Sequence, residues 1–321
     1  MQEMIEHEAS VPNGLSKRRF DQVAVALFPE YSRSRLQYWI ESGELTLNGM
    51  IQKPKFKVPV DGVLKISATP DQSHFEPEDI PLNVVFEDDD ILVISKPAGL
   101  VVHPGAGNGD GTLLNGLLHY CSTLESVPRA GIVHRLDKDT TGLMVVAKTL
   151  VSQNNLVQQL QSREVKRIYH AIAYGDVARS GTVDAPIGRH PTMRTRMSVQ
   201  LKGKEAVTHY QPIRNFGKHT YLELSLSTGR THQIRVHMQH ISHSLIGDPV
   251  YGGTLRIPAG SPSERLVNCL SNFPRQALHA KRLCFDHPAS GELVEFEIDL
   301  PDDFAELVDC LSVEADEKAD D

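Results

Sequence analysis

Residues 131–142 read Gly131-Ile132-Val133-His134-Arg135-Leu136-Asp137-Lys138-Asp139-Thr140-Thr141-Gly142, and an apolar run over 143–147 follows directly. Such a run, bounded by turn residues, predicts a buried strand. The Thr-Thr-Gly turn then places Arg135 and Asp137 on a loop held by rigid elements, where catalytic side chains are commonly presented. The spacing alone also fits a humbler reading, an aspartate that caps a turn beside an arginine that pairs with it.

Upstream, residues 91–95 predict a second buried strand, followed by Lys96-Pro97-Ala98-Gly99 and a mobile loop containing Gly105, Gly107, Gly109 and Gly111. These glycines lack the spacing of a dinucleotide fingerprint, and Gly142 to Lys148 lacks the glycine before the lysine that a phosphate-binding loop requires. Neither segment therefore predicts a nucleotide cofactor. Downstream, 167–174 alternates as a strand with Tyr169 on the face opposite Ile168 and Ile172. By itself this suits a core tyrosine. Further on, Thr231 can cap a helix whose core stripe is Ile234, Met238 and Ile241, leaving His232, His237 and His240 off the stripe and open to a ligand or solvent. His232 and His237 are five apart with no glutamate between them, which does not match helical zinc ligation. No metal site is expected.

The N-terminal part reads as a separate module over 15–68. Phe20, Val23, Ala24, Leu27 and Phe28 follow helical periodicity, and Pro29 ends the helix. Ser32 can cap a second helix with Leu36, Trp39 and Ile40 buried, and Asn48-Gly49 predicts a hairpin turn after Leu45 and Leu47. Arg33 and Arg35 sit in the first turn of that second helix, where its dipole disfavours a cation by roughly 0.3–1 kcal/mol. A phosphate partner would offset that cost. Pro70, Pro77 and Pro81 predict an unpacked linker over 69–82, a larger domain follows over 83–311, and the acidic tail 312–321 is expected to be disordered.

The net charge of −8 belongs entirely to residues 301–321, which carry nine acids and one lysine. Residues 15–66 hold nine bases against five acids, and 189–240 nine bases against two. Local basic surface, not net charge, governs contact with phosphates. Four cysteines, Cys121, Cys269, Cys284 and Cys310, lie far apart without paired spacing, which suits reduced thiols in a cytoplasmic protein. No apolar run approaches the roughly 18 residues that span a bilayer, and the acidic N-terminus lacks the features of a signal peptide.

The run His134 to Leu143 resembles the signature of the RluA family of pseudouridine synthases. Arg167-Ile168-Tyr169-His170-Ala171 resembles that family's tyrosine motif, and Gly229-Arg230-Thr231-His232-Gln233-Ile234-Arg235-Val236-His237 its arginine motif. Gly247-Asp248-Pro249-Val250-Tyr251-Gly252 and Gln276-Ala277-Leu278-His279-Ala280 follow at the expected places. The Ser-Arg-Ser-Arg opening of the second helix, with Leu-Asn-Gly after it, resembles the S4 RNA-binding domain. Within the family the likeness is greatest to the RluD subgroup, which modifies a stem-loop of the 23S RNA of the large ribosomal subunit.

The resemblance implies an α+β fold, a pseudouridine synthase domain with a mixed, largely antiparallel sheet, preceded by a small S4-like domain. It implies that Asp137 is the catalytic residue and that Arg235 pairs with its carboxylate. It further implies that Arg135 fills the gap left by a flipped base and that Tyr169 packs on the flipped uracil. Arg33, Arg35 and Lys53 are the expected RNA contacts of the N-terminal module. The partner would be large-subunit ribosomal RNA or its assembly particle, met by a single chain with no cofactor and no membrane.

The chemistry asks for such a set. Uridine becomes pseudouridine by breaking the bond from N1 to C1′, turning the base and rejoining it through C5, so no group is gained or lost. An aspartate, with an ordinary pKa of about 3.9, is ionised at neutral pH and can act at the sugar–base junction. Two other classes compete. A non-catalytic ribosome-assembly factor would need no such combination of Asp137, Tyr169 and Arg235. A glycoside hydrolase uses two carboxyl groups about 5–9.5 Å apart, and only Asp139 is offered nearby in sequence.

Overall fold

The computed structural model describes residues 4–29, 31, 33–68, 75–105, 109–193, 195–253 and 262–317. The expected cap Ser32, the linker residues 69–74 and Gly107 lie outside them. The chain divides into two compact units, Met1–His74 and Phe75–Asp321.

In the first unit, β1 (Ile5–Ser10), α1 (Phe20–Leu27), α2 (Arg33–Ser42), β2 (Leu45–Leu47) and β3 (Val63–Ala68) build a three-stranded antiparallel sheet, order β1-β3-β2, covered by two helices. Phe20, Val23 and Ala24 from α1 and Leu36, Trp39 and Ile40 from α2 bury their side chains against Leu45, Leu64 and Ile66. The periodicity thus built the expected helices. Two features differ from the sequence reading. The unit starts before residue 15, because Ile5–Ser10 pairs along its whole length with β3. Its only inward side chains are half-buried, so it carried little hydrophobic signal. The turn at Asn48-Gly49 forms, with positive φ at both residues, but Leu47 pairs back only to Met50, and β2 finds its long-range partner in β3.

The second unit contains β4 (Val84–Glu87), β5 (Ile91–Lys96), α3 (Leu113–Tyr120), β6 (Thr141–Ala147), α4 (Leu150–Ser162) and β7 (Lys166–Tyr174). There follow β8 (Gly181–Asp184), β9 (Ile187–Arg189), β10 (Met197–Val199), β11 (Val207–Asn215), β12 (His219–Leu226) and α5 (Gln233–His240). The unit closes with α6 (Glu264–Asn272), β13 (Leu278–Asp286), β14 (Leu293–Glu297) and α7 (Asp302–Glu317). Nine of these strands form one sheet, ordered β4-β5-β6-β13-β7-β12-β11-β8 with β14 added on β13. Its pairings are antiparallel except that of β6 with β13. This is the expected α+β class, with a mixed, largely antiparallel sheet.

Strand β6 is buried on both faces: Met144 and Val146 enter one core, Leu143, Val145 and Ala147 another. That explains its unbroken apolar run. The glycines bracketing the loop before it are dictated by close approach. A Cβ on Gly131 would stand 1.9 Å from the Ala147 carbonyl oxygen, and one on Gly142, at φ +117°, would stand 2.3 Å from that of Ala280. The loop that carries Asp137 is therefore clamped at both ends against neighbouring strands.

Three expectations need correction. Residues 75–82 are not unpacked: the Asn115 side chain donates to the Glu76 carbonyl, and Phe75 and Leu82 pack on the main core. Proline denies them regular structure, not packing. The acidic tail is helical as far as Glu317 within α7, since Phe304, Leu307 and Leu311 form a helical stripe buried against Leu266 and Leu270 of α6; residues 318–321 lie outside the described ones. The same packing brings Cys269 of α6 to Cys310 of α7, joined Sγ to Sγ at 2.20 Å, so only Cys121 and Cys284 are free thiols.

Candidate active site

The loop of Asp137 is fastened from several sides. Its turn closes with the Thr140 N–H donating to the Asp137 carbonyl at 3.1 Å. Gln276 donates to the Thr140 hydroxyl at 3.0 Å, and Thr141 meets His279 Nδ1 at 2.8 Å. Lys96, at the end of β5, is 1% exposed. Its ammonium donates to the carbonyls of Pro97, Leu100 and Lys138 at 2.7–2.9 Å, tying the residue after Asp137 to the sheet. Burial pushes the pKa of Lys96 down to about 7, against the pull of Asp139 and Asp137.

Asp137 and Arg235 meet as expected, Nη1 to Oδ2 at 2.9 Å. The arginine is itself held. Its Nε and Nη2 donate to the two oxygens of Asp248 at 2.7 and 2.8 Å, a bidentate pair with Asp248 wholly buried. Asp248 Oδ1 also accepts the N–H groups of Val250 and Tyr251. Burial alone would raise the pKa of Asp248, but Arg235 and those two N–H groups outweigh it and hold the carboxyl below its ordinary value. Burial likewise opposes the charge on Arg235, and its two carboxylate partners more than restore it. The guanidinium also lies over the Tyr251 ring, 5.0 Å from the centroid.

The other oxygen of Asp137, Oδ1, is 3.9 Å from His232 Nε2. His232 Nδ1 is hydrogen-bonded to the Tyr251 hydroxyl at 2.8 Å, which fixes the ring. Burial pushes its pKa below the ordinary histidine value, partly countered by Asp137. Helix α5 starts at Gln233, after His232 in a left-handed conformation (φ 56°), rather than from the expected cap Thr231. Gln233 takes over the capping work by accepting from the Arg230 N–H and the Thr228 hydroxyl. His237 also departs from expectation. It is buried, bonded to Thr208 at Nδ1 and to the Ala185 carbonyl at Nε2. It stands three residues after Ile234, on the core stripe and not off it. His240 is exposed.

All four expected catalytic-unit residues line one cleft of about 820 Å³. Arg135 is exposed at its wall, and Tyr169 is buried on β7 beside Asp137, its phenol pKa raised chiefly by burial. Among the described residues six arginines line this cleft, at 129, 135, 163, 167, 230 and 235, against the single carboxylate of Asp137. The cleft is thus suited to an anionic partner. In the first unit, Arg33 pairs with buried Asp21 at 3.3 Å, so the cost of a cation at the helix start is already offset within the chain. Arg35 lies over the Trp39 ring at 5.3 Å, and Lys53 is exposed.

Sequence reasoning passed over Asp248, Tyr251, Lys96 and the site role of His232. Asp248 left one local trace, an aspartate followed at the second and third positions by N–H groups it can accept. Its pairing with Arg235 is tertiary and left none.

A family model described as RNA pseudouridylate synthase matches residues 90–240. A ribosomal large subunit pseudouridine synthase D from Pseudomonas aeruginosa is 54% identical over 312 residues, covering 97% of each chain. One from Escherichia coli K12 is 52% identical over 322 residues, covering 100% of this chain and 98% of the relative. Among solved structures, human RNA pseudouridylate synthase domain containing 4 superposes with a TM-score of 0.56 at 26% identity, over 72% of this chain and 93% of that one. Human RNA pseudouridylate synthase domain containing 1 gives 0.53 at 25% identity, over 73% and 89%.

Proposed function

Because the chain belongs to the RNA pseudouridylate synthase family, we propose that it isomerises uridines of large-subunit ribosomal RNA, in a stem-loop of the 23S molecule, with Asp137 acting at the sugar–base junction. Full-length relatives named as ribosomal large subunit pseudouridine synthases support the reaction and the class of RNA. The observation that carries the role of Asp137 is its geometry: one carboxylate oxygen is bound by an immobilised arginine, and the other opens on an arginine-lined cleft.

In the reaction the bond from N1 to C1′ breaks, the bond from C5 to C1′ forms, N1 takes up a proton and C5 gives one to solvent. Arg235 orients Asp137 and stabilises its charge as the sugar develops positive character. Flipping the target base costs a few kcal/mol of stacking and pairing. Arg135, exposed at the cleft wall, fills the vacated stack, and Tyr169 packs on the extruded uracil. The first unit acts as an S4-like RNA-binding domain, with Arg33, Arg35 and Lys53 on phosphates, and residues 83–311 carry the chemistry. Among the described residues no helix is long and apolar enough to cross a membrane, and we place the protein in the cytoplasm as a single-chain enzyme on the ribosomal RNA or its assembly particle.

The test maps pseudouridines in ribosomal RNA of cells lacking the gene, restored with wild type or with Asp137→Asn. Specific pseudouridines should vanish and return with the wild type alone. Equal restoration by Asp137→Asn would remove Asp137 from the mechanism. No change in any pseudouridine on deletion would remove this RNA as the substrate.

A further inference from the structure

Among the described residues of the second unit, buried guanidinium groups find carboxylates, with one exception. Arg235 is gripped by Asp137 and Asp248, and Arg275 by both oxygens of Asp303 together with backbone carbonyls. Arg167 is 9% exposed, yet among the described residues neither a carboxylate nor a carbonyl hydrogen-bonds its guanidinium, and its Nε is shut off from solvent with no partner. It stands two residues before Tyr169 on β7, so the strand alternation turns both side chains to the same face, and both line the cleft. Room for the group is made by Gly229, where a Cβ would come within 2.8 Å of Nη1. The nearby imidazole of His134 cannot share the charge, since burial, helped by Arg167, pushes its pKa down to about 3.

A charge taken out of water without a counterion destabilises the fold that holds it. A neutral acceptor such as a uracil carbonyl would satisfy a hydrogen bond and leave the charge uncompensated. A phosphodiester would do both, and the planar guanidinium matches two of its oxygens. Among the described residues Asp137 is the only carboxylate lining the cleft, and Arg235 already binds it. We propose that Arg167 is a phosphate subsite of the cleft, taking one backbone phosphate of the RNA strand next to the extruded uridine. The proposal rests on the RNA substrate argued above and adds the group that holds its backbone.

The test compares wild type with Arg167→Met and Arg167→Lys on a transcript of large-subunit ribosomal RNA, measuring affinity against salt, phosphate-ethylation interference and melting temperature. Arg167→Met should bind about ten- to a hundredfold more weakly, as for loss of a charge-assisted hydrogen bond. Its slope of log affinity against log salt should shrink by about 0.7–0.9, one phosphate contact. One phosphate whose ethylation blocks wild-type binding should cease to matter. The free variant should melt at or above the wild-type temperature, because an uncompensated charge has been removed. Arg167→Lys should keep the wild-type salt slope with intermediate affinity.

Unchanged affinity, slope and interference pattern would overturn the subsite. So would an Arg167→Met protein that melts several degrees low or fails to fold, which makes the guanidinium structural, or an Arg167→Lys protein that loses the salt slope as Arg167→Met does, which denies a role to the charge. Should the interference signal disappear as expected on an RNA that the wild type never isomerises, the subsite stands and the assigned reaction falls. Pseudouridine formed by Arg167→Met at wild-type affinity leaves the reaction standing and removes the subsite.

Discussion

Each of the two units contains a triad of two like charges around a buried opposite one, and the two are inverted. In the first unit Asp21, 2% exposed, sits between Arg19 and Arg33, whose side chains are 41% and 62% exposed. In the second, Arg235 sits between Asp137 and Asp248, with side-chain exposures of 5%, 16% and 0%. A central carboxylate anchors two arginine stems and leaves their remaining donors in water, an arrangement open to phosphates. A central arginine in a buried site does the reverse: one acid fixes it, and it then holds the other acid with one oxygen facing the cleft. Solvent separates the two cases energetically, because ion pairs open to water contribute about 0–1 kcal/mol whereas losing one member of a buried pair costs about 3–5 kcal/mol.

The largest effect expected from this contrast is that of Asp248→Ala. Arg235 would keep only the single bond from Nη1 to Asp137, and its Nε and Nη2 would be left buried without partners. Denaturant unfolding should register a loss of about 3–5 kcal/mol. In single-turnover assays the rate should drop by tenfold or more while RNA affinity stays near wild type, since the residue supports the carboxylate and not the strand. A loss below about 1 kcal/mol with an unchanged rate would mean that Asp137 does not depend on this brace.

The next effect is acid sensitivity confined to one unit. His134 and His279, both in the second unit, have pKa values pushed down to about 3 and about 4, in each case chiefly by burial and further by a nearby arginine. Unfolded histidine titrates near 6.5, so below that pH the unfolded chain binds protons that the folded one does not, and stability falls as pH falls. Between pH 6.5 and 5 the two together should cost about 3 kcal/mol. In the first unit, burial would raise the pKa of Asp21, but the bonds from Arg19 and Arg33 outweigh it and lower the value, so its contribution persists until the pH drops below the ordinary aspartate range. The single tryptophan, Trp39, lies in the first unit's own core. Acidification to pH 5 should therefore move the main calorimetric transition down while the Trp39 fluorescence transition stays in place. If both shift together, the units unfold as one and the acid sensitivity is not local.

The contrast also marks what the sequence made legible. Strands over 91–95, 143–147 and 167–174 and both helices of the first unit follow from local periodicity, and the structure builds them with ends moved by one or two residues. Asp137, Arg135, Tyr169 and Arg235 were readable because each sits in a dense local motif, and the fold brings all four to one cleft. What stayed hidden depends on pairing across the chain. Asp248 acquires meaning only when α5 carries Arg235 against it, and Lys96 only when three carbonyls from two loops converge on its ammonium. Composition misled at the C-terminus, where nine acids masked the stripe of Phe304, Leu307 and Leu311. His237 was misplaced because its polarity was weighed above its position on the stripe.

The smallest effect is the one that tests the contrast most directly, Asp21→Asn in the first unit. Asparagine keeps the shape and one acceptor oxygen but removes the charge between Arg19 and Arg33. Both arginines already reach solvent, so neither would be stranded as Arg235 would be. What is lost is an ion pair largely open to water and an acid in the first turn of α1, together about 1 kcal/mol. Followed by Trp39 fluorescence, the midpoint of unfolding should shift by that amount and no more, and RNA affinity should stay level or rise slightly as the surface becomes more positive. A loss near that of Asp248→Ala would mean that the position of the carboxylate, and not the exposure of its partners, sets the cost. The two triads would then be equivalent structural anchors, and the solvent access of Arg19 and Arg33 would have no bearing on what the carboxylate between them contributes.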